Sequence, residues 1–578
     1  IRGLIMQGTI LSTLARQPTN AMPKKRDYTK IKAKFNAMFN NRQKYVAKWK
    51  DIRDYQLPFL GVFDDEQDQS KVYTDKINNG VAWESCQIFA SGVMSGMTPP
   101  SRKWFKLTLE NTDLAANSGV SKVLDEREEI LYAVFAKSNF YNVAHQTYME
   151  LPFGQSPMSI MPNPKYGVWF TSYPIGTYAF ECGSNGEVNT FGRKYRMTAD
   201  QLVEDFGYDA CTEQVKREYD DGKGNATTHV VCWLVMPNKD RNGKLGNKNM
   251  PYSSIYWIEG SNSDEVLRHS GFEEWPIPIA RHTTHDLSGY GKGCAWFAQS
   301  DAQMLQLLEK DLVTAIELGI KPPMSATSDV IGSVNLFPGG VTEVDTGGKV
   351  EPIFNVGIDV ANVQAKIQFV SESIKRAYSA DLFLMLDNID SGQMTAREVM
   401  ERTQEKMQQL GPVVERLQSE FLNPIIERTY GILDRAGIFP PIDEQTAEML
   451  NGMDVKIEYI SPLAQAQKMS SLVNIEQYYA FIMSLAQGNA NIVQKFNFEE
   501  AADIYGVNLG VPARVIRSND EYQQIMAQQQ QAQQEQEEQA QALQMAQLAP
   551  QMAGAAKQAT DAANDGNPVM QQLMGMGV

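Results

Sequence analysis

The sequence predicts an α+β fold that is mostly helical, and three observations predict it. Segments near 28–56, 121–148, 298–320, 359–379 and 395–437 carry apolar residues at three- and four-residue steps. Between about 151 and 285, short β-rich runs are separated by Gly, Pro and Asn. The 578 residues are 43% apolar and 21% charged, as in an ordinary folded chain. No apolar stretch reaches the roughly 18 residues needed to span a bilayer, so no membrane partner is expected.

The first element follows 1–22, which is expected to be a disordered or upstream extension, with Met22-Pro23-Lys24 looking like a natural beginning. Over 28–56, Ile31, Phe35, Met38, Tyr45 and Trp49 mark one helix, ended by Pro58 and Gly61. A second helix runs over 75–97 through Ile77, Val81, Ile88 and Met94, and stops at Thr98-Pro99-Pro100. Trp104 to Leu109 alternates as a strand, and 121–148 is helical through Val123, Ile130, Val134 and Phe135. In the β-rich region, Gly183-Ser184-Asn185-Gly186 is a hairpin turn, because Gly and Asn tolerate positive φ. Thr198-Ala199-Asp200-Gln201 has capping-box spacing and opens a helix. The sheet is expected to be antiparallel.

Residues 298–437 are organised differently. A helix over 298–320 carries Met304, Leu308, Leu312, Ala315 and Ile316, and Lys321-Pro322-Pro323 ends it. A Gly- and Val-rich segment follows, and then a helix over 359–379 with Val363, Ile367, Val370, Ile374 and Ala377. A loop over 381–394 holds Asp387, Asn388, Asp390, Ser391, Gly392 and Gln393. A helix of about 42 residues, roughly 60 Å if straight, then opens at the capping box Thr395-Ala396-Arg397-Glu398. Pro412 and Pro424 lie inside it and are expected to bend it. Val455, Ile457 and Tyr459 alternate as a strand, and 466–516 reads as amphipathic helix. Half of the residues from Gln523 to Leu548 are Gln, which favours a solvated helix over a coil or an aggregating tract. Disorder is expected from Gly554.

Most catalytic chemistry is missing from the pattern. There is no G-x-x-x-x-G-K-[ST]: Lys292 and Lys349 follow glycines without the upstream Gly or the following Ser or Thr. Cys86, Cys182, Cys211, Cys232 and Cys294 form no C-x-x-C pair, and their sparse, odd count suits a reducing compartment. His282, His285 and Asp286 suit a polar loop better than a metal site, and neither H-E-x-x-H nor G-x-S-x-G occurs. Asp387, Asp390 and Glu398 fit a solvated loop and a helix cap. No cofactor and no enzymatic activity are expected. The net charge of −16 opposes a broad grip on nucleic-acid phosphates. Two helices joined by a small cap, with apolar stripes too large to cover each other, call for assembly into a ring or bundle.

At these residues the sequence resembles the head-to-tail connector, or portal, family of short-tailed double-stranded DNA bacteriophages. The match is most specific in Met394-Thr395-Ala396-Arg397-Glu398-Val399, in Leu410 to Glu420, in Asn423 to Arg428, in Ala436 to Pro441 and in Ser461 to Gln467. Glu150-Leu151-Pro152-Phe153-Gly154 and Pro174-Ile175-Gly176 belong to it too. The family often has a Pro after its Tyr-Gly-basic-Gly run, where this chain has Cys294 after Tyr290-Gly291-Lys292-Gly293.

The resemblance implies a ring, usually of twelve subunits, at one unique capsid vertex of the virion, assembled in the host cytoplasm. Its implied parts are a wing over 23–297, a first stem helix over 298–320, a clip over 321–358 and a second stem helix over 359–380. A tunnel loop over 381–394, a spine helix with the rest of the wing over 395–469, a crown over 470–548 and a disordered tail over 549–578 complete it. Stem packing would use Leu308, Leu312, Ile316, Val363, Ile367, Val370 and Ile374. The clip would use Val334, Leu336 and Phe337, and the channel loop Asp387, Asn388, Asp390, Ser391 and Gln393. The implied partners are double-stranded DNA bound without sequence specificity, the terminase large subunit, a tail adaptor, and the major capsid and scaffolding proteins. Other readings are a different ring-forming head–tail adaptor, or an α+β hydrolase with a helical lid whose catalytic set is not found.

Overall fold

The computed structural model describes residues 28–63, 73–110, 118–239, 241, 246–262, 264–284, 289–328, 330–331, 333–336, 341–347, 349–353, 360–387, 410–442, 446–447, 450 and 455–461, with short pieces from 475 to 539. The chain divides into two compact units, residues 1–493 and 494–578. The first holds every named element. In the second, the described part of 525–539 is exposed and mostly helical, as the Gln-rich composition favours.

The first helix, α1 (Thr29–Tyr55), buries Phe35, Met38, Val46, Trp49 and Ile52, the face its spacing predicts. Helix α2 (Val81–Met97) begins later than its periodicity suggests, because Asn78 and Asn79 are engaged elsewhere and Gly80 caps it. Strand β1 (Phe105–Leu109) follows, buried at alternate positions. The single helix expected over 121–148 is two, α3 (Ser118–Lys137) and α4 (Phe140–Glu150). The break falls at Ser138-Asn139, where the Asn139 side chain pairs with both the N–H and the C=O of Phe170.

Two antiparallel sheets fill the β-rich region. Strands β2 (Gln155–Asn163) and β3 (Gly167–Ser172) form a hairpin, and β4 (Tyr178–Cys182) and β5 (Val188–Thr198) form another. The second turns at Gly183–Gly186, where Gly186 has φ 80°. Helix α5 (Ala199–Phe206) starts at Thr198 with both bonds of the capping box formed, and a short helix missed in the sequence, α6 (Glu213–Asp220), packs against it. Strands β6 (Thr228–Pro237), β7 (Tyr252–Ile258) and β8 (Arg268–Phe272) complete a five-stranded sheet ordered β4-β5-β6-β7-β8. Strand β9 (Ile279–Arg281) joins the other sheet, ordered β3-β2-β9. The run Cys232 to Val235 is apolar at every position because both faces are covered. Cys232 and Leu234 face Phe35 and Met38 of α1, while Trp233 and Val235 enter the main core.

A short helix, α7 (Cys294–Phe297), leads into α8 (Gln299–Ile320). Next come β10 (Met324–Ala326), β11 (Val330–Ile331), β12 (Glu343–Val344) and β13 (Val350–Pro352), and then α9 (Val360–Ala377). Helix α10 (Ala380–Asp387) occupies the first half of the segment expected as a loop. Its Ala380, Leu382 and Phe383 are apolar and buried, which a solvated loop does not explain. The capping box at Thr395, and with it the start of the long helix, lies outside the described residues. Helix α11 (410–417) includes Pro412, a π-turn spans Gln418–Leu422, and α12 (Asn423–Arg435) follows. The π-turn comes just before Pro424, which has no N–H to continue the ladder. Strand β14 (Val455–Tyr459) pairs antiparallel with β1, Phe105 opposite Tyr459.

Candidate functional site: a two-helix hairpin and its root

The root is made by backbone touching backbone. A Cβ on Gly154 would come within 2.0 Å of the Gly291 carbonyl oxygen, and one on Gly293 within 2.2 Å of that of Pro152. Gly154 also has φ 119°, so only glycine fits there. Trp296 Nε1 donates to the Phe153 carbonyl at 2.6 Å, and the Gly291 N–H donates to Gln155 Oε1 at 3.0 Å. The Glu150–Gly154 and Tyr290–Gly293 segments singled out in the sequence thus grip the entry to α8. The third, Pro174-Ile175-Gly176, joins through Glu150, whose carboxylate accepts the Ile175 N–H at 3.1 Å. Burial pushes the Glu150 carboxyl up to about 7, against the pull of the Ile175 and Gly61 N–H groups.

A buried amide cluster completes the root, and the sequence reading missed it. Gln56 Nε2 donates to Gln299 Oε1 and to the Ala295 carbonyl, and Gln56 Oε1 accepts from the Tyr378 hydroxyl at 2.9 Å. Gln306 Oε1 accepts the N–H groups of Asn78 and Asn79, while its Nε2 donates to the Asn79 carbonyl at 2.9 Å. One signal for it existed: Gln299 and Gln306 are seven apart, on the buried side of α8 with Ala302 and Leu305.

Above the root, α8 and α9 pack on each other, and Ser373 Oγ donates to Asp301 at 2.6 Å. Leu312, Ile367, Val370 and Ile374 are buried within the chain, and Leu308 and Val363 are half-buried. This corrects the expectation that the stripes lack a sufficient partner inside the chain, since α9 also packs on α2. Ile316 and Met304, read as stripe residues, are 41% and 38% exposed. The helix is apolar on more than one face, so spacing alone misassigns the inward one. What stays outside is Leu307 (58% exposed), Val313, Ile316 and Ile320 (71%) on α8, with Phe369 (58%) on α9.

Between the helices, β10 pairs with β13 and β11 with β12, giving two nested antiparallel pairs. Val334 is half-buried and Leu336 exposed, while Phe337 lies outside the described residues. Asp387 is the last residue of α10, and Asn388, Asp390, Ser391 and Gln393 lie outside the described residues.

Burial sets the protonation state of the titratable groups near the root. Burial pushes the Cys86 and Cys294 thiols up, away from the nucleophilic thiolate. Burial lowers His282 to about 4, so it is neutral, and its Nδ1 lies 2.8 Å from Thr283 Oγ1. His285 and Asp286 lie outside the described residues, and among the described residues no three His, Cys, Asp or Glu side chains gather as metal ligands. A cleft of about 500 Å³ lies beside Arg281, Arg416 and Glu420. Both arginines are engaged: Arg281 Nε and Nη2 reach Glu420 at 2.6 and 2.7 Å and its Nη1 the Gly289 carbonyl, while Arg416 Nη1 donates to Thr284 Oγ1 and lies 3.6 Å from Glu420.

The model of the family described as bacteriophage head to tail connecting protein matches residues 28–516. The chain belongs to that family. It is 34% identical over 496 residues to the portal protein of Salmonella phage epsilon15, covering 84% of this chain and 88% of that protein. It is 32% identical over 494 residues to the probable portal protein of Bordetella phage BPP-1, with the same shares. The family match takes in the root, the hairpin, α10 and β14 together. Among the described residues, no helix is long and apolar enough to cross a membrane.

Proposed function

We propose that copies of this chain, twelve by the resemblance, close into a ring at one capsid vertex through which double-stranded DNA enters and leaves. The observation that carries this is the apolar surface of α8 and α9 left exposed after the two helices have packed on each other. Neighbouring hairpins cover it, with Leu307, Val313 and Ile320 of one copy against its neighbour. The ring acts as a structural conduit: the net charge of −16 per chain repels phosphate, so DNA slides without a sticky minimum. Asp387 at the end of α10 and Asp390 beyond it extend that repulsion. The nested strands between α8 and α9 are the docking face for the terminase large subunit and then the tail adaptor. Capsid and scaffolding proteins hold the rest, and hydrolysis of ATP belongs to the terminase.

Native mass spectrometry of the purified chain tests the ring. A single closed oligomer is expected, and a monodisperse monomer at micromolar concentration sinks the reading. Leu307→Asp combined with Phe369→Asp should abolish the ring and leave a folded monomer, since both side chains are exposed in the single chain. Leu312→Asp and Ile367→Asp should instead damage the hairpin itself, because a charge there is buried without a partner.

A further inference from the structure

The joint between α9 and α10 turns on one residue. Ser379 has φ 55°, and it is the one non-glycine residue with positive φ among the described residues. Helices commonly end on a left-handed residue, and glycine usually fills the place because a Cβ is strained there. The two sides of this joint are held differently. On the α9 side, Tyr378 is fully buried and its hydroxyl donates to Gln56 Oε1 in the root cluster. On the α10 side, Leu382 and Phe383 are buried against α2. The Phe383 ring sits where Gly92 has no side chain, since a Cβ there would come within 2.1 Å of its Cγ. Phe89 meets the same ring edge-on, with centroids 6.0 Å apart. One anchor is a hydrogen bond inside a rigid cluster. The other is apolar docking onto a small notch, opposed by the strain at Ser379.

We propose that α10 is a hinged flap. It rotates about Ser379 between the docked position on α2 and an undocked one in which Ser379 relaxes to an ordinary negative φ. Tyr378 keeps α9 in place during the motion, so the stem end stays fixed while the flap moves. The hinge stands whether or not the chain closes into a ring, because every contact named lies within one chain.

Amide hydrogen exchange on the full-length chain tests this. The Leu382 and Phe383 N–H groups bond to the Ser379 carbonyl at 3.1 and 3.5 Å within the first turn of α10, and an eight-residue helix frays once it loses its packing, so their exchange reports undocking. Ser379→Gly removes the strain, and exchange over 382–387 should slow about tenfold, with α9 unchanged. Gly92→Ala fills the notch and should speed exchange over 382–387 at least about tenfold, again with α9 unchanged. If Gly92→Ala does not fold, Phe383→Ala removes the docked ring from the other side and should give the same acceleration. Two results overturn the flap: Ser379→Gly exchanging as fast as the natural chain, or 382–387 opening only together with α9 in every variant. Either makes Ser379 a rigid helix stop.

Discussion

The five-stranded sheet and the α8–α9 hairpin are rich in the same kinds of residue and treat them oppositely. In the sheet, each apolar side chain finds a partner in its own chain. Phe35 of α1 meets Trp257 edge-on at 4.9 Å on one face, and Trp233 stacks on Tyr256 at 5.4 Å on the other. In the hairpin, α8 turns Leu312 inward and leaves Leu307, Val313 and Ile320 in solvent. The two regions therefore differ in how far their apolar side chains are covered within the chain, and apolar composition does not show that difference. A single exposed apolar side chain is ordinary, but a run of large ones along one helix, still exposed once the chain has folded, is the surface on which the proposed assembly rests.

Substitutions can break that comparison or sharpen it. The largest effect belongs to the body. Trp104 packs among Phe105, Phe135, Phe140 and Tyr459, so Trp104→Ala should destabilise the chain by about 3–5 kcal/mol in chemical denaturation. If the Leu307 and Phe369 variants cost the unassembled chain as much, the division into self-covered body and outward hairpin is wrong.

The next effect is one of pH. Glu150 is buried, with its carboxyl pushed up to about 7 from 4.5, so the folded chain holds this proton more tightly than the unfolded one. Its contribution is complete below about pH 4.5 and is lost as pH rises to about 7, a change of about 3 kcal/mol. Glu150→Gln has no proton to lose. The difference in melting temperature between natural chain and variant should therefore change across that window and stay flat above it. A flat difference throughout refutes the raised carboxyl.

The smallest effect is at the end of β5, where α5 begins. Thr198→Ala removes the hydroxyl that accepts the Gln201 N–H, and should cost about 1 kcal/mol without touching assembly.

Legibility in the sequence followed the range of the interaction. The capping box at Thr198, the Gly183–Gly186 turn and helix α1 rest on neighbours a few residues away, and the structure has all three. The break at Asn139 was hidden because its partner, Phe170, lies on another hairpin. Among the residues expected in a channel loop, Asp387 belongs to α10, which reads as loop only when Asp387 and Asp390 are weighed without Leu382 and Phe383. The inward face of α8 was misread at Met304 and Ile316, since a helix with apolar residues on more than one face shows no single stripe. The Gln56 cluster joins residues some 320 positions apart, and no spacing rule reaches that far.

The pairing of β1 with β14 has a consequence for how the chain is made. Phe105 waits for Tyr459, about 350 residues downstream. At roughly 5–20 residues per second, a ribosome needs tens of seconds to deliver the second strand after the first. Through that interval β1 is an open edge, and Trp104, whose ring ends up stacked on Tyr459, lacks one of its covers. The nascent chain is thus prone to stick to its neighbours until β14 emerges to cover that edge.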